Sequence, residues 1–116
     1  MTVEARPTVP VFRDGRVELV VDLRVYRLAA VQKAAYRLAA RCTAVLGDVT
    51  ESSLCVSLTF PRAVSEEHAL DVARLFFQEL LDQELREQIA AETAPLRNLI
   101  LAYAYSRTGL PSDGRK

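Results

Sequence analysis

The chain has 116 residues and a mass of 12.9 kDa, which fits one domain of ordinary size. Its composition is 50% hydrophobic and 26% charged, which is typical of a folded protein and excludes an intrinsically disordered one. The 15 Lys and Arg residues balance the 15 Asp and Glu residues, and this disfavours nucleic acid as a partner, because binding a phosphate backbone needs uncompensated cations.

Residues 1–15 are predicted to form an N-terminal arm. They contain Pro7 and Pro10 and show little periodicity, and Asp14-Gly15 is a strong turn dipeptide. No signal-peptide pattern is present at the N-terminus, and the longest uncharged apolar run, Leu99 to Tyr105, is far shorter than the ~20 residues that a membrane span needs. We therefore expect a soluble, cytoplasmic protein.

The first strand is predicted from residues 16–23, where apolar and mostly polar residues alternate with the period of two that indicates one buried face. After Tyr26 the period changes to three and four residues, which predicts an amphipathic helix. The apolar positions of this helix are Leu28, Val31, Ala35, Leu38 and Cys42. Residues 43–46 then predict a short strand, Gly47-Asp48 a turn, and residues 54–60 a third strand.

Two further helices are predicted after Pro61. Ser65 is a candidate N-cap for the first, which continues to about Ala91 with Asp82 as a candidate break. Thr93 is a candidate N-cap for the second, because Pro95 then falls in its first turn, where the missing N–H costs least. This last helix should end near Ser106, and residues 109–116 form a tail expected to be disordered.

This order of elements predicts an α+β fold of one domain, residues 16–108. A right-handed crossover leaves room for the third strand between the first two, which gives a three-stranded antiparallel or mixed sheet of order 1-3-2. The arrangement is ferredoxin-like, β-α-β-β-α-α, with the helices packed on one face. The other face is polar and is either solvated, which we favour, or docked against a partner. Its predicted residues are Arg16, Glu18, Asp22, Ser57 and Thr59.

The residues for catalysis or metal binding are scarce. His68 is the only histidine, and it lies in the first turn of a helix, where the helix dipole disfavours a protonated ring. Cys42 and Cys55 lack C-x-x-C spacing and are expected to be free thiols of the core and sheet, rather than a disulfide. No nucleotide-binding glycine motif occurs. We therefore predict no catalytic residue, no metal site and no cofactor.

The last predicted helix is apolar nearly all round. It is therefore either sandwiched inside the monomer or in contact with another chain, and we favour a subunit contact in a homo-oligomer. The residues predicted for this interface are Leu96, Leu99, Ile100 and Tyr103.

Residues 80–87, with the sequence Leu-Leu-Asp-Gln-Glu-Leu-Arg-Glu, alternate apolar and charged side chains in a way that packing alone does not require. They resemble the signature Leu-Leu-Asn-Asp-Tyr-x-Leu-Arg-Glu of the His-Xaa-Ser system protein HxsD family. The matching positions are Leu80, Asp82, Leu85, Arg86 and Glu87, whereas Glu79, Leu81 and Gln83 depart from the signature. Residues 33–38 and 96–104 are also similar to the family, so the resemblance covers roughly residues 17–106.

The resemblance implies that the chain belongs with two radical SAM enzymes and a peptide that carries His-Xaa-Ser repeats. Since the chain has neither C-x-x-x-C-x-x-C nor such repeats, it is neither the radical enzyme nor the substrate peptide. We expect a non-catalytic accessory or adaptor protein that binds the maturases, the peptide or both, through its last helices or a sheet edge. The polar positions within the similar stretches are candidate contacts: Tyr36, Arg37, Asp82, Arg86, Glu87 and Arg97. The alternatives are a structural homo-oligomer and, more weakly supported, an enzyme.

Overall fold

A computed structural model describes residues 9–108 of the chain. The predicted tail and the first eight residues of the predicted arm lie outside this range, and the division into arm, domain and tail stays a prediction. The described residues form β1 (Val11–Arg13), β2 (Arg16–Asp22), α1 (Leu28–Arg37), β3 (Thr43–Thr50), β4 (Ser53–Thr59) and α2 (Glu66–Thr108). They fall into two compact units, unit 1 up to Glu84 and unit 2 from Leu85.

The four described strands form one antiparallel sheet in unit 1, in the order β1-β2-β4-β3. β4 lies between β2 and β3 and is antiparallel to both, so β2 and β3 are parallel to each other and α1 connects them. This is the split β-α-β arrangement that the element order predicts. The α+β class and the relative order of the three predicted strands are confirmed.

The prediction of a three-stranded sheet is wrong, because β1 adds a fourth strand from within the predicted arm. β1 pairs with β2 across a two-residue turn, with Val11 opposite Glu18. The turn residues Asp14 and Gly15 have φ values of 57° and 76°, and positive φ at both positions is what a tight hairpin with the right-handed twist requires. The Asp-Gly dipeptide was thus the signal of a hairpin, although a strand of only three residues has too few positions to show a period.

The core of unit 1 lies between one face of the sheet and the two helices. The alternate residues of β2 and β4 are buried there, as the period of two predicts. They pack against the small residues of α1 and against α2, where Phe76 is fully buried. The strand and helix residues of this core include Val17, Leu19, Val21, Leu54, Val56, Leu58, Ala30, Val31, Ala34, Val72 and Leu80.

The last two predicted helices are a single helix, α2, and the predicted break near residue 92 is wrong. Thr93 is inside the helix, where its hydroxyl donates to the carbonyl of Ile89 at 2.9 Å instead of capping a new helix. Pro95 is also inside the helix. A proline removes one backbone N–H and crowds the carbonyl four residues earlier, and α2 is continuous through this position despite that cost. No helix among residues 9–108 is both long and apolar enough to cross a membrane.

The two cysteines are both reduced thiols, as expected, and their environments differ. Cys42 is 3% exposed, whereas Cys55 is exposed on the sheet. Burial raises the pKa of the Cys42 thiol, so less of the reactive thiolate is present at neutral pH.

We expect one thiol per chain, that of Cys55, to react promptly with Ellman's reagent in the folded protein. The Cys42 thiol should react only after unfolding in denaturant, because it is both buried and protonated at neutral pH. A Cys55→Ser variant is the control and should show no fast phase. Two thiols that react at equal rates in the folded wild-type protein would contradict the burial of Cys42.

Candidate functional site

An open groove of about 350 Å³ lies along α1 in unit 1, and we call it the α1 groove. Its lining residues on α1 are at positions 29, 32, 33, 36 and 37, and since neighbours three and four residues apart share a helix face, they lie on one side of the helix. The opposite side of α1 faces the core through Ala30, Val31 and Ala34. The groove is lined by Ala29, Gln32, Lys33, Tyr36, Arg37 and Gln83.

A carboxylate from α2 fixes the position of α1. The N-cap residue of α1 is Arg27, whose side chain makes no capping hydrogen bond. Instead, Oε1 of Glu84 accepts the backbone N–H of Arg27 at 2.8 Å, and Oε2 of Glu84 lies 3.5 Å from Nε of the same arginine. The side chain of Glu84 is buried. It therefore supplies the acceptor that a helix N-terminus needs and ties α1 to α2 within unit 1.

A second polar link ties the far end of α1 to α2 beside the groove. Nε of Arg37 lies 3.2 Å from Oε2 of Glu79, and Nε2 of Gln83 donates to the same oxygen at 2.8 Å. The Glu79 side chain is only 20% exposed, and Gln83 is buried. Glu79 therefore links Arg37 of α1 to Gln83 of α2 beside the groove, while the Arg37 side chain stays 64% exposed and water weakens its ion pair.

Tyr36 is the most prominent side chain of the α1 groove. It is 82% exposed, which is the largest value among the exposed large hydrophobic residues of the described chain. Tyrosine and arginine are enriched at protein interfaces, because each offers a large contact area together with a polar group. An exposed tyrosine beside an exposed arginine in an open groove suits a polypeptide partner better than a small molecule, which binds in enclosed pockets.

A second depression lies at the start of α2, and the only histidine, His68, is part of its lining. The hydroxyl of Ser65 accepts the backbone N–H of His68 at 3.1 Å, so Ser65 caps this helix as predicted. Asp71 and Arg74 in the lining pair with each other at 2.9 Å and are both exposed. This is a solvated helix surface. Among residues 9–108 no group of three or more His, Cys, Asp or Glu residues is arranged to hold a metal ion.

The structure brings together two of the six predicted contact residues, Tyr36 and Arg37, at the α1 groove. Asp82 also belongs to unit 1 and is half-buried, next in sequence to the groove residue Gln83. The other three predicted contacts, Arg86, Glu87 and Arg97, belong to unit 2. In that unit, Nη1 of Arg97 donates to the hydroxyl of Thr93 at 2.7 Å.

Sequence reasoning missed the residues that hold the groove in shape, which are Glu79, Gln83 and Glu84. A helical pattern of alternating charges is typical of a solvated face, and it gave no reason to treat Glu84 as buried. One signal was available, because Arg27 at the start of α1 is a poor N-cap and an acceptor had to come from elsewhere in the chain.

The predicted subunit interface lies in unit 2, and its large side chains are exposed. Leu99 is 67% exposed, and the other three predicted interface residues, Leu96, Ile100 and Tyr103, are between 56% and 61% exposed. Clustered apolar exposure of this kind is typical of a surface that binds another molecule.

The comparisons with known proteins give one match. The model of the family described as "His-Xaa-Ser system protein HxsD" matches residues 21–111, which is most of the chain. No curated protein and no solved structure matches. The matched range begins at the end of β2 and contains the whole α1 groove and all of α2, whereas β1 lies outside it.

Proposed function

Because the chain belongs to the His-Xaa-Ser system protein HxsD family, we propose that it is a non-catalytic adaptor of that system. It binds the radical SAM maturases, the His-Xaa-Ser repeat peptide, or both, and the α1 groove is its contact surface. The remaining predicted contacts, Asp82, Arg86, Glu87 and Arg97, contribute to the same binding role. Turnover of the peptide by the isolated protein would overturn the non-catalytic part of this proposal.

The observation that carries the proposal is the combination of Tyr36 and Arg37 at the α1 groove. Tyr36 is 82% exposed, so it gains contact area when a partner covers it. Arg37 pairs with Glu79 and is still 64% exposed, so the other N–H donors of its guanidinium can contact a partner. Both residues lie within the range that the family model matches.

We expect Tyr36→Ala and Arg37→Ala each to weaken partner binding about tenfold, which corresponds to about 1.4 kcal/mol. The tagged protein is expressed with the two enzymes and the repeat peptide, and the retained proteins are identified by mass. Their affinities are then measured by calorimetry with the purified partner. The expected result for the wild-type protein is an enzyme or the peptide in the eluate.

The matched control is Arg74→Ala, which removes an arginine of similar exposure that pairs with Asp71 at 2.9 Å on the surface of α2. It should leave binding unchanged. The free energy of unfolding of each variant shows whether a loss of binding comes from loss of structure. If Tyr36→Ala binds every partner as the wild type does, the α1 groove is not the contact surface.

The double variant with Asp82→Ala and Arg86→Ala tests the contacts outside the groove residues. We expect weaker partner binding with little change in the free energy of unfolding, because neither side chain belongs to the buried residues of the protein. A variant that binds normally and is only less stable would show that these two residues are structural.

A second candidate function is a structural homo-oligomer that associates through the C-terminal part of α2. The exposure of Leu96, Leu99, Ile100 and Tyr103 favours it. This candidate requires the purified protein to self-associate in the absence of every other component of the system.

A further inference from the structure

Unit 2 carries a stripe of exposed apolar side chains along α2. At about 100° per residue, these side chains fall within about 100° of the helix circumference. We call this set the C-terminal stripe, and it consists of Leu85, Ile89, Leu96, Leu99, Ile100 and Tyr103. Each of its members is at least 48% exposed. Leu101 and Tyr105 are also exposed but project outside this arc.

The spacing of the stripe is that of a two-helix contact. The positions 85, 89, 92, 96, 99 and 103 alternate steps of four and three residues, which is the heptad pattern of helices that pack side by side. Five of the six positions hold a large apolar residue, and the exception is Glu92. A stripe with this period fits another helix along its whole length better than it fits a compact globular pocket.

Glu92 distinguishes the two orientations in which a second copy of the helix could pack. In a parallel pair, Glu92 would face Glu92 of the other copy in the contact between the two helices, which we call the seam. Two like charges would then lie next to each other. In an antiparallel pair centred at Ala94, Glu92 faces the other copy's Leu96, and Arg97 is the next residue along that helix. Opposite charges then approach each other instead of like charges.

The same antiparallel register matches the apolar residues with one another. It places Leu85 opposite Tyr103 and Ile89 opposite Leu99 of the second copy. The charges along the unit also favour this orientation, since residues 85–93 contain one arginine, Arg86, and two carboxylates, Glu87 and Glu92, whereas residues 94–106 contain Arg97 and no carboxylate. Each half of the stripe is therefore complementary to the other half, which a second copy supplies.

We propose that residues 85–103 of α2 bind the same residues of a second copy in an antiparallel two-helix contact centred at Ala94. The inference rests on the self-association candidate above and does not depend on the adaptor role of the α1 groove. It adds the orientation of the pair, its register, and the participation of Leu85, Ile89 and Glu92.

Analytical ultracentrifugation of the full chain tests the contact itself. We expect the wild-type protein to sediment as a dimer and Leu99→Asp to weaken the dimer at least about tenfold, because a charge enters the seam twice in each dimer. The matched control is Leu101→Asp, the same substitution at an exposed residue outside the stripe, which should leave the dimer intact. A wild-type monomer at every concentration overturns both the inference and the self-association candidate, and equal effects of the two variants overturn the stripe as the contact.

Disulfide cross-linking tests the orientation, in a Cys55→Ser background that leaves only the buried Cys42. The antiparallel register predicts that a mixture of Leu85→Cys and Tyr103→Cys proteins forms a cross-linked dimer and that neither protein does so alone. In this register, residue 85 of one copy lies about 27 Å along the helix axis from residue 85 of the other copy, and the same holds for residue 103. This is far beyond the ~7 Å between Cα atoms that a disulfide tolerates. Cross-linking of each variant with itself would show a parallel pair and overturn the inference while self-association stands. A dimer without any cross-link would place the contact elsewhere.

Discussion

Glu84→Ala is expected to lower the free energy of unfolding by about 3 kcal/mol, near the lower end of the range for breaking a buried ion pair. Glu84 is 4% exposed, and its carboxylate accepts the first backbone N–H of the α1 N-terminus from Arg27. Alanine leaves that N–H without its acceptor and removes a link between α1 and α2. The Arg27 side chain is 46% exposed, so water replaces part of the lost interaction and the loss stays below the maximum.

The measurement is urea unfolding followed by circular dichroism, and two further variants separate the causes. Glu84→Gln keeps an oxygen that can accept the Arg27 N–H but loses the charge, so its loss should be smaller, about 1 kcal/mol. Asp71→Ala removes an exposed partner of Arg74 and should cost less than about 0.5 kcal/mol. If Glu84→Ala is as stable as Asp71→Ala, Glu84 is not a capping residue of α1.

Two strands of unit 1, β2 and β4, could be predicted because each has one buried face. In β2, buried Val17, Leu19 and Val21 alternate with residues that are at least partly exposed, and this pattern is visible in the sequence without knowledge of the partner strands. The order of the three predicted strands followed from the handedness of the crossover and the short connection between β3 and β4.

The buried polar contacts could not be predicted in the same way, because they join residues far apart in the chain. Glu84 and Arg27 are separated by 57 positions, and a helical period states only which residues share a face. It does not state whether a carboxylate on the edge of that face contacts water or the N-terminus of a different helix. The same limit applies to the contacts of Glu79 at the α1 groove.

The candidate site was predicted only in part. Tyr36 and Arg37 were chosen because they are polar positions inside a stretch that resembles the family, and they do lie together at the groove. Sequence spacing could not show that Gln83 lines the same groove, since that depends on how α1 packs against α2. That any of the six predicted residues contacts a partner remains a prediction.

The sequence wrongly predicted a boundary between two helices near residue 92, because threonine and proline are ambiguous signals. Thr93 and Pro95 have the spacing of an N-cap and the first turn of a helix, and local rules favour that interpretation. The structure places both residues inside α2. Proline in a helix interior is about 3 kcal/mol less favourable than alanine, so α2 forms in spite of Pro95.

Pro95→Ala is therefore expected to stabilise the helix of unit 2 by as much as about 3 kcal/mol. Alanine restores a backbone N–H that can donate to the carbonyl of Ala91, and it removes the ring that crowds this carbonyl. Hydrogen exchange followed by mass spectrometry measures the effect directly. The backbone amides of residues 85–106 should exchange up to about a hundred times more slowly than in the wild type, since 1.4 kcal/mol corresponds to a factor of ten.

Thr93→Ala is the control that separates the effect of the proline from general helix propensity. It introduces the same amino acid two positions earlier, but it restores no backbone N–H, and it removes the hydroxyl bond to the Ile89 carbonyl. Its expected gain is only about 0.5 kcal/mol, because threonine is a weaker helix former than alanine. If the two variants slow exchange equally, Pro95 is not the weak point of the helix. If Pro95→Ala alone slows it, the missing backbone donor at residue 95 limits the stability of the helix in unit 2 more than its general helix propensity does.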